Sequence, residues 1–121
     1  RDRERCLDEA RALIRCACDY VVGFERAWQE DMLLYSQLEL CELGNLQDIA
    51  ESVRPHRSFP DSSLWKVLHD VGSALFHIHS KGMVHLDVKP SNILLSSKGN
   101  LKLGDFGLAT DFNKEGIDGQ E

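Results

Sequence analysis

A chain of 121 residues fits one small domain or a piece of a larger one, and a content of 42% hydrophobic and 28% charged residues is ordinary globular composition. The formal net charge of -6 argues against nucleic acid as the main partner, because phosphate binding needs a concentrated basic face. No apolar run approaches the roughly 18 residues of a membrane span, and the opening "RDRERC" is not a secretory signal.

Leu7, Ala10, Leu13 and Ile14 fall three or four apart among charges, which predicts a helix from Asp2 to about Cys16. Arg1, Arg3, Arg5, Arg11 and Arg15 are interleaved with Asp2, Glu4, Asp8 and Glu9, the pattern of a solvated, ion-paired helix. The stretch "YVVGFERAWQEDMLLYSQLEL" is rich in β-branched and aromatic residues, and Gln29-Glu30-Asp31 divides it into two strands. A connector "CELGN" follows, hinged at Gly44, and then a modest helix from Asn45 to about Val53. "RPHRSFP" reads as a loop, after which Asp61 or Ser62 can cap a long helix. Leu64, Leu68, Val71, Leu75 and Ile78 make one apolar stripe along it, Trp65 and Phe76 read as packing groups, and Gly82 suits its C-terminal end. "ILL" and "LKL" flank "SSKGN" as a hairpin, and "EGIDGQE" is an acidic tail. Cys6, Cys16, Cys18 and Cys41 lack metal-site spacing, so half-buried reduced thiols are expected, as in a cytosolic or nuclear protein.

Chemistry concentrates between residues 85 and 107. Phosphoryl transfer needs a carboxylate to orient the acceptor hydroxyl, a cation near the moving group and oxygen ligands for magnesium. "HLDVKPSN" offers Asp87, Lys89 and Asn92 for these tasks in turn. Magnesium prefers oxygen donors and phosphate company, so a second carboxylate is expected nearby; Asp105 in "GDFG" supplies it. His85 reads as structural, packing under Phe106 and bonding to backbone, and a zinc site built from His77, His79 and His85 is not completed by any Cys or carboxylate.

The order HxDxKPxN, hairpin, DFG resembles the catalytic core of eukaryotic protein kinases. That resemblance implies an α+β, two-lobed, protein-kinase-like fold present in part, with residues 1–40 in the N-lobe and 41–121 forming the hinge and part of the C-lobe. It implies ATP and Mg2+ as cofactors, Asp87 and Lys89 as catalytic residues, and Asn92 and Asp105 as metal ligands. Leu38 would guard the back of the adenine pocket and Leu94 its floor; Glu39 and Cys41 would offer backbone groups to adenine, so their side chains need not matter. Glu9, or Glu4 in a shifted register, would pair with the ATP-anchoring lysine.

Three finer features resemble the Wee and Myt kinases, which inhibit cyclin-dependent kinases: Leu86 in place of the usual Arg before the catalytic Asp, the strand pair with Ala27-Trp28, and "KLGDFGLAT" followed by an acidic segment. This implies a protein substrate, a cyclin-dependent kinase, and an intracellular setting in nucleus or cytoplasm. Leu86 cannot pair with an activation-segment phosphate, so independence from that switch is expected. Lys89 does not settle whether the acceptor is Tyr, Thr or Ser. The stress kinases that act on a translation initiation factor look similar but usually keep the Arg, and a truncated product or pseudokinase acting by binding is the rival from another class. The resemblance also implies a glycine-rich loop and lysine strand ahead of residue 1 and further helices beyond residue 121, so an isolated chain is expected to be inactive and to expose apolar surface from the long helix.

Overall fold

The computed structural model describes residues 2–53 and 60–112. The chain runs through α1 (Asp2–Arg15), the hairpin of β1 (Phe24–Glu30) and β2 (Leu33–Leu38), α2 (Leu46–Val53) and α3 (Asp61–Ser80). Four two-residue or three-residue pieces of chain then pair around the loops: β3 (Met83–Val84) with β6 (Thr110–Asp111), and β4 (Ile93–Leu95) with β5 (Leu101–Leu103), each antiparallel. A single 3-10 turn, Pro90–Asn92, precedes β4. This is a mixed α+β arrangement.

The core gathers where α1, α3 and the β4–β5 hairpin meet: Leu13, Cys16, Val21, Ala74, Ile78, Met83, Ile93, Leu103 and Phe106 are all buried. Residues 20–22 run beside β5, with the Val22 N–H donating to the Leu103 carbonyl at 3.0 Å and the Leu103 N–H to the Tyr20 carbonyl at 2.8 Å. These bonds hold the segment leading into β1 against the strand leading to Asp105. The connector after β2 is fastened too, because the Leu95 N–H donates to the Gly44 carbonyl at 2.8 Å.

Several expectations shift by a residue or a face. The break in the first hairpin falls at Asp31 and Met32, both with positive φ (51° and 67°), so of Gln29-Glu30-Asp31 only Asp31 lies in it; Gln29 and Glu30 pair within the ladder. Two successive left-handed residues give the turn whose twist matches the flanking strands. Helix α3 starts at Asp61 with Pro60 as its extended N-cap and no side-chain cap, so neither Asp61 nor Ser62 has that role. Asp61 instead places its carboxylate in the first turn, where the helix dipole favours it.

The apolar stripe on α3 is buried only toward its C-terminal half. Val67, Val71, Ala74, Leu75 and Ile78 meet the core, whereas Leu64 and Leu68 are exposed. Trp65 and Phe76 are not packing groups, being 69% and 80% exposed, because they lie off the face that meets the β4–β5 hairpin. The expected apolar exposure on this helix is therefore present. On α1, Ala10 and Leu13 are buried and Ile14 is exposed. Gly82 does end α3: at φ 75° it occupies the left-handed conformation that costs a residue with Cβ, and its N–H donates to His79. Asn45 caps α2, its side-chain oxygen accepting the Asp48 N–H at 2.9 Å. All four cysteines are free, Cys16 buried and the others partly so. Most of the "RPHRSFP" loop and the whole acidic tail lie outside the described residues. No helix among the described residues is long and apolar enough to cross a membrane.

Candidate active site

Strand β3 delivers the chain into the loop at His85, whose ring is 1% exposed. Its Nδ1 accepts the Asp87 N–H at 3.1 Å, so the proton sits on Nε2, which donates to the Gly104 carbonyl at 2.8 Å. Phe106 meets the ring edge-on with centroids 4.8 Å apart. One neutral imidazole thus joins the loop bearing Asp87 to the segment bearing Asp105, in the structural role expected of it.

Between His85 and Asp87 the backbone is strained. Leu86 has φ 66° with its side chain 64% exposed, so it neither packs nor relaxes. A left-handed leucine costs on the order of 1–2 kcal/mol. The bonds of His85 and Asn92 on either side of it are what hold the turn.

Asn92 is 8% exposed and spends its amide nitrogen on Asp87 twice, donating to the backbone carbonyl at 2.8 Å and to Oδ2 at 3.0 Å. Both partners are acceptors, which leaves Oδ1 of Asn92 as a ligand oxygen. Lys89 Nζ stands 3.6 Å from the other Asp87 oxygen. The Asn92 carbonyl accepts the Gly104 N–H at 2.8 Å, and this brings the next residue, Asp105, to the same end of the hairpin. Asp105 is itself exposed with φ 51°, and its Oδ1 accepts the Gly107 N–H at 3.2 Å, leaving Oδ2 open to a cation. Among the described residues no three His, Cys, Asp or Glu side chains could hold a metal by themselves. Asn92 and Asp105 therefore fit a magnesium ion that brings phosphate oxygens with it, which is how magnesium is usually held.

Glu9 points to the same end. Partial burial raises its pKa, the neighbouring Asp105 carboxylate raises it further, and a backbone bond from Phe106 offsets part of this. Glu4 is exposed.

At the connector, the Glu39 N–H donates to the Gly23 carbonyl at 2.7 Å, and the Cys41 carbonyl accepts the Gly44 N–H at 3.2 Å. Among the described residues no backbone bond engages the Glu39 carbonyl or the Cys41 N–H, an acceptor and a donor two residues apart that could meet an adenine edge. Leu38 ends β2 at 40% exposure. Leu94 is half-buried, with Cδ1 only 3.2 Å from where a Cβ on Gly104 would stand.

Asp70 was missed in the sequence. It is 2% exposed on α3, where its carboxylate accepts the Leu101 N–H at 2.9 Å and pairs with Lys66 at 3.2 Å and His69 at 2.8 Å. It anchors the start of β5, four residues before Asp105. Burial works to raise its pKa, but the His69, Leu101 and Lys66 bonds outweigh that and hold it below the ordinary carboxylate value. The available signal was a lone acid between Val67, Val71 and Ala74 on the buried face. A separate cavity of about 500 Å³ lies between residues 18–20 and α3, lined by Cys18, Tyr20, His69 and His77, away from this cluster.

This loop, hairpin and carboxylate set define a protein kinase core. The protein kinase domain family matches residues 1–118, and the chain belongs to that family of ATP-dependent phosphotransferases. Among similar proteins is a probable protein kinase of Dictyostelium discoideum, 40% identical over 109 residues, which are 89% of this chain and 14% of that protein. The mitosis inhibitor protein kinase mik1 of Schizosaccharomyces pombe is 42% identical over 109 residues, 89% of this chain and 19% of mik1. The eIF-2-alpha kinase GCN2 of the same yeast is 46% identical over 78 residues, 64% of this chain and 5% of GCN2. The chain thus spans less than a fifth of the length of each of these three relatives.

Proposed function

We propose that the protein carrying this chain transfers the γ-phosphoryl group of ATP to a protein hydroxyl as an inhibitory kinase of cyclin-dependent kinases, of the Wee and Myt type. The observation that carries the chemistry is the pair of hydrogen bonds that the Asn92 amide nitrogen donates to Asp87, which fixes a carboxylate and frees an amide oxygen beside it. Asp87 orients the acceptor hydroxyl and takes its proton as the new oxygen–phosphorus bond forms and the bond to ADP breaks. Lys89, near the Asp87 carboxylate, offsets charge developing on the moving group. Asn92 and Asp105 hold magnesium, Glu39 and Cys41 meet adenine through backbone groups, and Leu38 and Leu94 bound its pocket. Bound MgATP supplies the phosphoryl group and the charge neutralisation. Glu9 serves the lysine that anchors ATP. In this reading residues 1–40 belong to the N-lobe and 41–121 to the hinge and C-lobe, in a protein of the nucleus or cytoplasm.

The choice of substrate is supported by Leu86 and by the similarity to mik1. The likeness to GCN2 favours a second reading, a kinase of a translation initiation factor. The two separate in one assay. Full-length protein is given labelled ATP with a cyclin-dependent kinase or with the initiation-factor subunit, beside an Asp87→Asn variant. Label on the cyclin-dependent kinase alone, lost in the variant, is expected; label on the initiation factor alone would replace this reading with the second.

A further inference from the structure

The side chain of Glu39, expected to be idle, is held from two directions. Its Oε1 accepts the Gly23 N–H at 2.9 Å and the Lys102 ammonium at 2.9 Å, with Oε2 also 2.9 Å from that ammonium. The Glu39 N–H returns a bond to the Gly23 carbonyl, so the two residues close a ring. A Cβ at Gly23 would stand 3.2 Å from Oε1, so the Glu39 carboxylate would have to give by a few tenths of an ångström.

These three residues come from three places: the entry to β1, the exit from β2 and the middle of β5. Lys102 lies three residues before Asp105, and Glu39 two before Cys41. Their side chains are 14% and 29% exposed, so the attraction is less screened than at an open surface. Partial burial pushes the Glu39 pKa up, but the Lys102 and Gly23 bonds overcome it and hold the carboxyl below its ordinary value.

We propose that Glu39 and Lys102 are a positioning pair that fixes the connector against the strand delivering Asp105, and so sets affinity for nucleotide. This rests on the kinase reading above. A nucleotide must reach the connector with its base and Asp105 with its phosphates, so its binding depends on the spacing between them. Asp87 is held separately, by His85 and Asn92. Loosening the pair therefore weakens binding and spares turnover.

The test uses full-length protein with Lys102→Met, Lys102→Arg, Glu39→Gln and the double variant Lys102→Met/Glu39→Gln. MgATP Kd, kcat and melting temperature are read for each. Lys102→Met should weaken MgATP by about fivefold with kcat within about twofold, Glu39→Gln should weaken MgATP by a similar factor, the double variant should lose no more than either single, and Lys102→Arg should restore most of the affinity. Wild-type affinity in Lys102→Met, or losses that add in the double variant, would overturn the pair alone. Wild-type protein that binds no MgATP would overturn the kinase reading and the pair together.

Discussion

His85 sets the place of Asp105 from both sides: the His85 ring donates to the Gly104 carbonyl and lies against Phe106, the residues flanking Asp105. Its other nitrogen accepts from Asp87, so a single buried side chain spaces the two carboxylates. Replacing it with Phe keeps the bulk and removes both bonds, leaving a partly buried N–H and a buried carbonyl unpaired. A loss of about 3 kcal/mol is expected in denaturant unfolding. A loss under about 0.5 kcal/mol would mean that water or backbone shifts take over both bonds.

Glu9 is destabilising in this chain as it stands. Its folded pKa lies above 4.5 through burial and Asp105, so folding favours its protonated form: the stability it gives is present at low pH and lost as pH rises through the raised value. Glu9→Gln should therefore raise the melting temperature of the 121-residue chain at pH 7, by a few degrees, with little difference near pH 4. A lower melting temperature at pH 7 would show that Glu9 is ion-paired instead.

Asp70 has the opposite sign. Its folded pKa is below 3.8, so its contribution is full above that value and disappears as pH falls through the folded one. Glu39 behaves likewise below 4.5. Urea midpoints measured from pH 6 downward should fall steeply below about pH 4, and Asp70→Asn should flatten that acid limb while lowering the plateau. An unchanged acid limb in the variant would contradict the burial and bonding assigned to this carboxylate.

Leu86 is exposed and left-handed. Leu86→Arg should leave basal phosphotransfer within about twofold, since no packing is lost. Leu86→Val should lower the melting temperature, because a β-branched side chain tolerates positive φ poorly. A large loss of activity in Leu86→Arg would assign the leucine a packing role that its exposure denies.

What was legible in the sequence was local. Periodicity located α1 and α3, Gly82 matched the end of α3, and the polar set at Asp87, Lys89, Asn92 was read as a group because these residues lie within one loop. What escaped depends on tertiary partners. Asp70 drew no reading because its role depends on the Leu101 amide that β5 brings to it, and Glu39 looked like a backbone contributor until Lys102 arrived from 63 residues away. Trp65 and Phe76 illustrate the converse: large apolar side chains that a helix can present to either side, with only the packing of β4–β5 to decide which side is inward. The turn at Asp31–Met32 was misplaced because neither residue is the glycine that usually advertises positive φ.

The measurement that bears most directly on the site is the melting temperature of the full-length protein with MgATP, with ATP plus EDTA, and with neither, repeated for Asp105→Ala. The account predicts stabilisation by MgATP that is mostly lost without the metal and absent in Asp105→Ala, because binding to the folded state alone raises its stability. Equal stabilisation of the wild type and Asp105→Ala by MgATP, or none in the wild type, would contradict the assignment of Asn92 and Asp105 as the metal ligands of a nucleotide site.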